Sequence, residues 1–275
     1  MDNFEGVLIC TDLDGTLLNS ERKISKENIE AIERFKQGGG YFTFVTGRMP
    51  FNVLEIYDEI KPNAPVGCIN GGGLYDFERG DYVYKIPLDG SVMGLIRTVE
   101  RFMPSIGIRA NPFDKTYLFR ARESLSTFSV SNRALCYTPD YENVRDSFAK
   151  ITFGTELESE MAELERILRS HEQGDCFDFI RSEETLFEIM PKGVGKGLAL
   201  TRLAEHLSAK KTFAVGDYDN DISMLRAADV GIAVSNATEA VKEAVSYVTI
   251  SNDEHAIARV IFNIERGRYK RRRPN

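Results

Sequence analysis

The chain has 275 residues, of which 42% are apolar and 28% are charged, and its net charge is −7. This composition is typical of a folded globular protein with one or two domains and a sizeable core, and it excludes a disordered chain. The acidic balance argues against nucleic acid as a partner, and the apolar runs are too short to cross a membrane.

The N-terminal quarter alternates between strand and helix patterns. Residues 7–11 form a short apolar run that predicts a strand buried on both faces. Ser25 is placed to cap a helix that ends at the glycines 38–40. Further strands are predicted at 41–45 and 66–69. Strand, helix and strand with short connections indicate a parallel α/β domain.

The middle of the chain has a different pattern. Helices are predicted where apolar residues repeat at helical spacing, and strands where short apolar runs lie between them. The predicted helices are 92–102 and 157–168, and the predicted strands are 151–153, 177–181 and 186–189. Residues 111–148 lack a clear period and receive no assignment. This grouping is typical of an α+β insert with an antiparallel sheet.

The C-terminal part returns to the α/β pattern. The predicted helices are 199–207, 222–228, 241–245 and 257–264, and the predicted strands are 212–215, 230–234 and 247–250. We therefore expect a doubly wound, Rossmann-like parallel-sheet core made of residues 1–84 and 190–275. Residues 85–189 would form an inserted α+β domain.

Cysteine and histidine are too sparse for a disulfide framework or a zinc site. The four cysteines are separated by tens of residues, and only three histidines are present. The N-terminal segment is acidic and lacks the basic region of a secretory signal. We therefore expect a reduced, cytoplasmic protein.

Two aspartates, Asp12 and Asp14, directly follow the first predicted strand, and Gly15 and Thr16 follow them. Ligands of open α/β sheets bind at the carboxyl ends of strands, so both side chains are placed for chemistry. One carboxylate can attack phosphorus as a nucleophile, and the other can protonate the leaving oxygen. The alternative is a structural turn in which the aspartates cap the backbone.

A second acidic loop follows the predicted strand 212–215. It reads Gly216-Asp-Tyr-Asp-Asn-Asp221, and its oxygen-rich side chains suit Mg²⁺. Asp217 is the better ligand candidate because it lies nearest the strand end. Acids at the N-terminus of a helix are the structural alternative, which applies best to Asp219 and Asp221.

Three weaker features are suited to a phosphate group. Thr46 and Gly47, followed by Arg48, come after the second strand, where a hydroxyl and backbone N–H groups can hold phosphate oxygens. Lys196 lies in a glycine-rich loop that is not a Walker A motif. Asn70 begins another glycine-rich loop after the third strand. Taken singly, these features also fit a common turn, a surface lysine and a flexible loop.

Together these motifs resemble the haloacid dehalogenase-like phosphohydrolases, in particular the Cof-type phosphatases with a large second-type cap. The resemblance covers nearly the whole chain. The matching segments are Asp12-Leu-Asp-Gly-Thr-Leu-Leu, Val45-Thr-Gly-Arg48, Asn70-Gly-Gly, Lys196, Gly216-Asp-Tyr-Asp-Asn-Asp221, Val234-Ser-Asn-Ala237 and Lys242-Glu-Ala244.

The resemblance implies roles for the acidic residues. Asp12 would be the nucleophile and a Mg²⁺ ligand. Asp14 would be the general acid and base, and its backbone carbonyl would bind the metal. Asp217 would be the third protein ligand, and Asp221 would support the metal or its waters. An Asp at position 14 implies hydrolysis, because related ATP-driven ion pumps, which must keep their phosphoenzyme, have Thr there.

The resemblance also implies the substrate contacts. Thr46, Gly47, Asn220 and Lys196 would hold the phosphoryl group, and Arg48 and Asn70 would lie close to the substrate. The insert would act as the cap that selects the leaving group. The implied substrate is a small phosphorylated metabolite, with sugar phosphates favoured and nucleotides and phosphorylated cofactors left open.

Two other functions fit the same residues. A phosphotransferase or mutase would pass the phosphoryl group to a sugar hydroxyl, and a sensor would bind a phosphorylated metabolite without turning it over. Neither a nucleic acid nor a membrane is an expected partner, and the oligomeric state stays open.

One segment departs from the family pattern, and the C-terminal tail is unusually basic. His255 replaces a more usual acidic or glycine region and is interpreted as a surface residue at a helix start. Residues 266–273 contain six basic residues. This tail could bind nucleic acid or an anionic surface, but a solvated chain end is the favoured interpretation.

Overall fold

The structure is a computed structural model that describes residues 4–126, 136–137 and 143–269. The chain divides into two compact units. The core unit comprises Met1–Tyr84 and Gly195–Asn275, and the insert unit comprises Lys85–Val194. The predicted domain boundaries at 84/85 and 189/190 stay predictions, because compact packing does not establish independent folding. Among the described helices, none combines the length and apolarity needed to span a membrane.

The elements are numbered along the whole chain. The described strands are β1 (Val7–Thr11), β2 (Tyr41–Phe44), β3 (Val66–Cys68), β4 (Gly73–Asp76), β5 (Asp81–Lys85), β6 (Gly107–Pro112), β7 (Thr116–Arg120), β8 (Cys136–Tyr137), β9 (Phe148–Gly154), β10 (Phe177–Glu183), β11 (Leu186–Pro191), β12 (Lys211–Gly216), β13 (Val230–Ala233) and β14 (Tyr247–Val248). The described α-helices are α1 (Lys26–Gln37), α2 (Leu54–Ile60), α3 (Val92–Phe102), α4 (Glu123–Ser126), α5 (Glu158–Ser170), α6 (Lys196–Leu207), α7 (Ile222–Ala227), α8 (Glu239–Ala244) and α9 (Ala256–Glu265).

The core unit is built on a parallel five-stranded sheet in the order β14-β13-β12-β1-β2. The interior strand β1 is almost entirely buried, which agrees with its continuous apolar sequence. Thr11 lies opposite Val215, so β1 and β12 end at the same edge of the sheet. The backbone N–H of Asp12 still donates to the Val215 carbonyl, at 2.9 Å. The predicted α/β fold class is confirmed.

The third predicted strand joins the sheet differently from the prediction. β3 pairs antiparallel with β4, within a three-stranded sheet of order β3-β4-β5. A single parallel bridge between Val45 and Gly67 connects it to β2. The chain reverses at the tight turn Ile69–Gly71, where Gly71 has a φ of +91°. This reversal leaves β3 with an antiparallel partner.

Local signals explain the ends of α1. The Ser25 side chain accepts a hydrogen bond from the Asn28 N–H, as predicted for an N-cap. The Gly38 N–H donates to the Arg34 carbonyl at the other end. The Asn28 side chain in turn accepts from the Ala258 N–H at 2.9 Å, which ties α1 to the start of α9.

The start of the basic tail packs on the core unit. The guanidinium groups of Arg266 and Arg268 lie 5.2 and 5.3 Å from the centre of the Phe262 ring. Tyr269 is buried and lies 5.0 Å from the Tyr247 ring. Residues 266–268 are exposed, as expected for a solvated end, whereas Tyr269 is buried against the core unit. Residues 270–273 lie outside the described residues.

The insert unit contains a six-stranded sheet in the order β10-β11-β9-β6-β7-β8. The pairs are antiparallel, except that β7 and β8 are parallel. Apolar side chains from this sheet form one core with α3 and α5. The predicted antiparallel α+β arrangement is confirmed. β7 and β8 fall within the unassigned stretch 111–148, of which 127–135 and 138–142 lie outside the described residues.

Buried charges occupy the central strands of the insert sheet. Lys150 on β9 donates a hydrogen bond to Glu188 on β11, and both side chains are almost fully buried. Burial lowers the pKa of Lys150, although the Glu188 charge opposes this shift. Such a pair is tolerated in a core only when both groups are hydrogen-bonded.

Candidate active site

Asp12 directly follows β1 and lies buried, with 6% of its surface exposed. Its Oδ1 atom accepts a hydrogen bond from the Lys196 Nζ at 2.7 Å. The Thr11 hydroxyl donates to the Asp12 carbonyl at 2.8 Å. The ammonium group of Lys196 therefore fixes the direction of the carboxylate that follows β1.

The turn after Asp12 depends on a glycine. Gly15 has a φ of +76°, in the left-handed region that favours glycine. A Cβ at this position would lie 2.4 Å from the Asp217 Oδ2. The Gly15 carbonyl accepts from the Asn236 side-chain amide at 2.8 Å. The turn can therefore pass directly beside the second acidic loop only because position 15 has no side chain.

The second acidic loop follows β12 and brings two more carboxylates to Asp12. The Asp217 Oδ1 accepts from the Thr16 hydroxyl at 2.5 Å. Asp221 is fully buried, and its Oδ2 accepts from the backbone N–H groups of Asp217 and Tyr218, both at 3.0 Å. The Asp221 side chain thus shapes its own loop and faces the site with its other oxygen.

Lys196 joins the two acidic loops. Its Nζ donates to the Asp12 Oδ1 at 2.7 Å and to the Asp221 Oδ1 at 2.6 Å. The side chain is only 1% exposed, which excludes the alternative of a surface lysine. It opens α6, whose preceding residue Gly195 packs against Gly71 in the turn after β3. Three segments of the core unit therefore fix one ammonium group.

The site holds more negative than positive charge. Burial and the Asp221 charge raise the pKa of Asp12 well above its ordinary value, although Lys196 opposes this. Burial and Asp221 likewise raise the pKa of Asp217 to about 7. Burial disfavours the charged form of Lys196, but Asp12 and Asp221 outweigh it and raise its pKa. A cation bound here would relieve the repulsion among the carboxylates.

The arrangement fits a divalent metal ion. One oxygen from each of Asp12, Asp217 and Asp221 lies within 4.8 Å of the others. Within the described part of the chain, the Oδ2 atoms of Asp12 and Asp217 accept no hydrogen bond. Both oxygens of Asp221 already accept from N–H donors. Hard oxygen ligands of this kind suit Mg²⁺, with Asp12 and Asp217 the best-placed ligands and Asp221 better placed to orient them.

Asp14 lies beside this cluster, and its carboxylate faces another partner. Its Oδ2 accepts from the Arg48 Nε at 2.9 Å, and its Oδ1 accepts from the Arg48 Nη2 at 2.5 Å. The Asp14 side chain is 51% exposed, whereas that of Arg48 is 18% exposed. The two residues form a bidentate ion pair at the rim of the site.

The residues predicted to hold phosphate form a second cluster. The Thr46 hydroxyl accepts from the Arg48 N–H at 3.2 Å, and the Thr46 carbonyl accepts from the Asn70 N–H at 2.9 Å. The Asn220 amide donates to the Asn70 Oδ1 at 3.1 Å. Gly47 lies so close to Asn70 that a Cβ would be 3.1 Å from its Oδ1. The structure therefore brings these polar residues together, and their roles stay predictions.

A family model for haloacid dehalogenase-like hydrolases matches residues 9–261. The chain belongs to this family. The match confirms the resemblance to Cof-type phosphatases inferred from the motifs. It spans both acidic loops, Lys196 and the insert unit.

Individual relatives agree with the family assignment. The chain is 30% identical over 289 residues to phosphatase YwpJ of Bacillus subtilis, covering 92% of this chain and 98% of that protein. It is 30% identical over 293 residues to the 5-amino-6-(5-phospho-D-ribitylamino)uracil phosphatase YwtE of the same organism, covering 95% and 99%. A haloacid dehalogenase-like hydrolase structure from Bacteroides thetaiotaomicron matches with a TM-score of 0.82 and 26% identity, covering 95% and 99%.

Two polar contacts at the site were not assigned from the sequence. Thr16 binds Asp217 and Asn236 binds the Gly15 carbonyl, although both residues lie in motifs shared with the family. Their presence in those motifs was the available signal. His255 begins α9, where its Nδ1 lies 3.4 Å from the Glu27 Oε2 and its side chain is 44% exposed. This position agrees with a surface residue at a helix start.

Proposed function

We propose that the protein is a Mg²⁺-dependent hydrolase of phosphate monoesters. The observation that carries the proposal is the Asp12 carboxylate. It lies at the end of β1, with Oδ1 held by Lys196 and Oδ2 accepting no hydrogen bond from the described residues. A carboxylate fixed in this way is suited to attack a phosphorus atom.

The proposed reaction has two steps. In the first, the Asp12 oxygen forms a bond to phosphorus while the bond to the leaving oxygen breaks, and Asp14 donates a proton to that oxygen. In the second, Asp14 accepts a proton from water, which attacks the aspartyl-phosphate and releases inorganic phosphate and free Asp12. The proton that Asp14 donates in the first step is replaced by the proton that it accepts from water in the second, so Asp14 returns to its starting state.

The surrounding residues supply charge and orientation. Lys196 places one positive charge against Asp12 and offsets the charge of an incoming phosphoryl group. Thr46, Gly47 and Asn220 offer a hydroxyl, a backbone N–H and an amide for phosphate oxygens. A Mg²⁺ ion held by Asp12, Asp217 and the Asp14 carbonyl would supply Lewis-acid stabilisation of the phosphoryl charge. Asp221 would keep Lys196 and its own loop in place.

The substrate we propose is a small sugar or sugar-alcohol phosphate. The relative YwtE is named for a substrate with a phosphate at position 5 of a ribityl chain. That substrate is a phosphate monoester of a polyol, the class favoured by the resemblance to Cof-type phosphatases. We expect this protein to prefer a primary phosphate on a hydroxylated carbon chain.

Release of inorganic phosphate tests the proposal. A panel of sugar phosphates, polyol phosphates and nucleotides is incubated with wild type and Asp12→Asn, with Mg²⁺ and with EDTA. We expect release to need Mg²⁺ and to fall by at least about a thousandfold in Asp12→Asn, since the nucleophile is lost. Asp219→Asn, the same change at an exposed position of the second acidic loop, should retain activity.

Two results would contradict hydrolysis. Normal release by a folded Asp12→Asn would remove the nucleophile assignment. Turnover that requires a sugar acceptor and liberates little phosphate would instead identify a phosphotransferase or mutase. Circular dichroism of each variant separates lost chemistry from lost folding.

A further inference from the structure

The ion pair between Arg48 and Asp14 occupies the carboxylate that the proposed reaction requires. Both Asp14 oxygens accept from the Arg48 guanidinium, at 2.9 and 2.5 Å. Within the described residues, Asp14 has no other side-chain hydrogen bond. Each oxygen can still accept a second hydrogen bond, but the bidentate pair fixes the direction of the carboxylate, so Asp14 can turn towards a leaving group only when the pair opens.

The Arg48 backbone is fixed beside the phosphate-binding cluster. Its N–H donates to the Thr46 hydroxyl at 3.2 Å, and its carbonyl accepts from the Ile69 N–H at 3.0 Å. Thr46 and Asn70 are joined by a further backbone hydrogen bond of 2.9 Å. The guanidinium therefore starts from an anchored position next to the groups predicted to bind phosphate, and its side chain reaches Asp14 from there.

We propose that Arg48 is a positioning residue that exchanges partners, a step that rests on the proposed phosphatase function. In the substrate-free protein its guanidinium binds Asp14. When an anionic substrate group arrives, the guanidinium binds that group instead and frees the Asp14 carboxylate to face the leaving oxygen.

The chemistry of the guanidinium supports this exchange. Its planar set of five N–H donors matches a carboxylate and a phosphate equally well, and a phosphate that takes the Nε–Nη2 edge displaces Asp14 from it. Asp14 is half exposed, so water can replace Arg48 as its partner at little cost. Substrate binding and release of Asp14 are therefore coupled through one side chain.

A double-mutant cycle on phosphate affinity tests the coupling. The dissociation constant of inorganic phosphate is measured by titration calorimetry with Mg²⁺ present, for wild type, Asp14→Ala, Arg48→Met and the double variant. Exchange predicts that Asp14→Ala binds phosphate roughly threefold to tenfold more tightly, because Arg48 no longer has to leave a partner. In the Arg48→Met background the same substitution should change the affinity by less than about twofold.

The cycle separates exchange from simple repulsion. If Asp14→Ala tightens phosphate binding equally in both backgrounds, the effect is the loss of a negative charge, and the exchange is overturned. Arg48→Lys provides a second route if Arg48→Met does not fold. A lysine makes no bidentate contact, so its coupling to Asp14 should be weaker than that of arginine and stronger than that of methionine.

A failure of the proposed function gives a different result. Wild type that binds no phosphate in the presence of Mg²⁺ and releases none from any substrate would overturn both proposals. Wild type that binds and releases phosphate, but shows no dependence of the Asp14→Ala effect on Arg48, would overturn the exchange alone.

Discussion

Three carboxylates in the core unit lie close together beside one buried ammonium group. Asp12 and Asp221 each accept from Lys196, and Asp217 lies beside them. Carboxylates at such distances repel one another unless protons or cations intervene. The cluster therefore costs the fold stability unless a proton or a cation relieves the repulsion, and such costs are common at reactive sites.

Protonation of Asp217 makes a testable prediction about pH. Its pKa is raised to about 7, chiefly by burial and by Asp221. Between about pH 4 and pH 7 the folded protein therefore holds a proton that the unfolded chain has released, so raising the pH over this window destabilises the fold. We expect urea unfolding midpoints in EDTA to be lower at pH 7.5 than at pH 5, and Asp217→Asn to reduce that difference.

Two comparisons make this prediction specific. Saturating Mg²⁺ should raise the midpoint more at pH 7.5 than at pH 5, because a metal binds the ionised carboxylates. Asp219→Asn should keep the pH dependence of wild type. A midpoint that rises from pH 5 to pH 7.5 in EDTA, and does so equally in wild type and Asp217→Asn, would show that Asp217 is ionised throughout.

The turn after β3 and the start of α6 are in direct contact, and this contact leaves no room for a side chain at Gly71. Gly71 has a φ of +91°, and a Cβ there would lie 2.2 Å from the Gly195 carbonyl oxygen. Gly80 has a φ of +70°, but a Cβ there would meet nothing within 4 Å. Comparing substitutions at Gly71 and Gly80 therefore separates the cost of the left-handed backbone from the cost of the steric contact.

Alanine at these two glycines should therefore have unequal effects. Both substitutions share a cost of about 1 kcal/mol for the left-handed backbone. Gly71→Ala should lose roughly 1–3 kcal/mol more in the free energy of unfolding. It should also lower phosphate release, because Lys196 is displaced with Gly195. Urea unfolding and phosphate release would measure both effects, and equal losses in the two variants would contradict the argument.

Elements with continuous apolar sequences could be predicted, and elements defined by pairing could not. β1, β12 and β13 are covered on both faces, so the sequence alone marks them to within a residue or two. β5 is a half-exposed strand with alternating burial at the edge of the sheet β3-β4-β5, so it lacks a continuous apolar run. β3 was expected to continue the parallel sheet because its antiparallel pairing with β4 depends on the turn Ile69–Gly71, which the apolar pattern does not specify.

Some features of the site could likewise be predicted from the sequence, and others could not. The positions of Asp12 and Asp217 follow from strand ends in an α/β sheet, a rule that needs no side-chain coordinates. Which oxygen each donor binds depends on packing from distant parts of the chain. The Thr16 contact to Asp217 and the bidentate pair of Arg48 with Asp14 therefore appear only in the structure.

On the scale of the whole molecule, the core unit is made of two separated stretches of chain. β1 pairs with β12, so its hydrogen bonds need residues from both stretches. The insert unit is one continuous stretch with its own sheet and apolar core. The sheet of the core unit therefore needs both stretches of the chain, whereas the sheet of the insert unit needs only one.

Fragments should reveal this difference. We expect residues 85–194 alone to melt cooperatively in circular dichroism, because its sheet and helices share one core. Residues 1–84 alone should not melt cooperatively, since β12 to β14 are missing and a few strands without partners are unstable. A cooperative transition in fragment 1–84 would show that β1 does not need β12.

The contact between Lys196 and Asp12 also has a consequence for protein synthesis. Lys196 follows Asp12 by 184 positions. A ribosome adding about 5–20 residues per second needs roughly 10–40 seconds to make that stretch. Until then the nascent chain carries its first acidic motif without the lysine, and the apolar β1 lacks its partner β12. The pair of Asp12 and Lys196 therefore cannot form before translation is more than two-thirds complete, and throughout that interval β1 stays without β12.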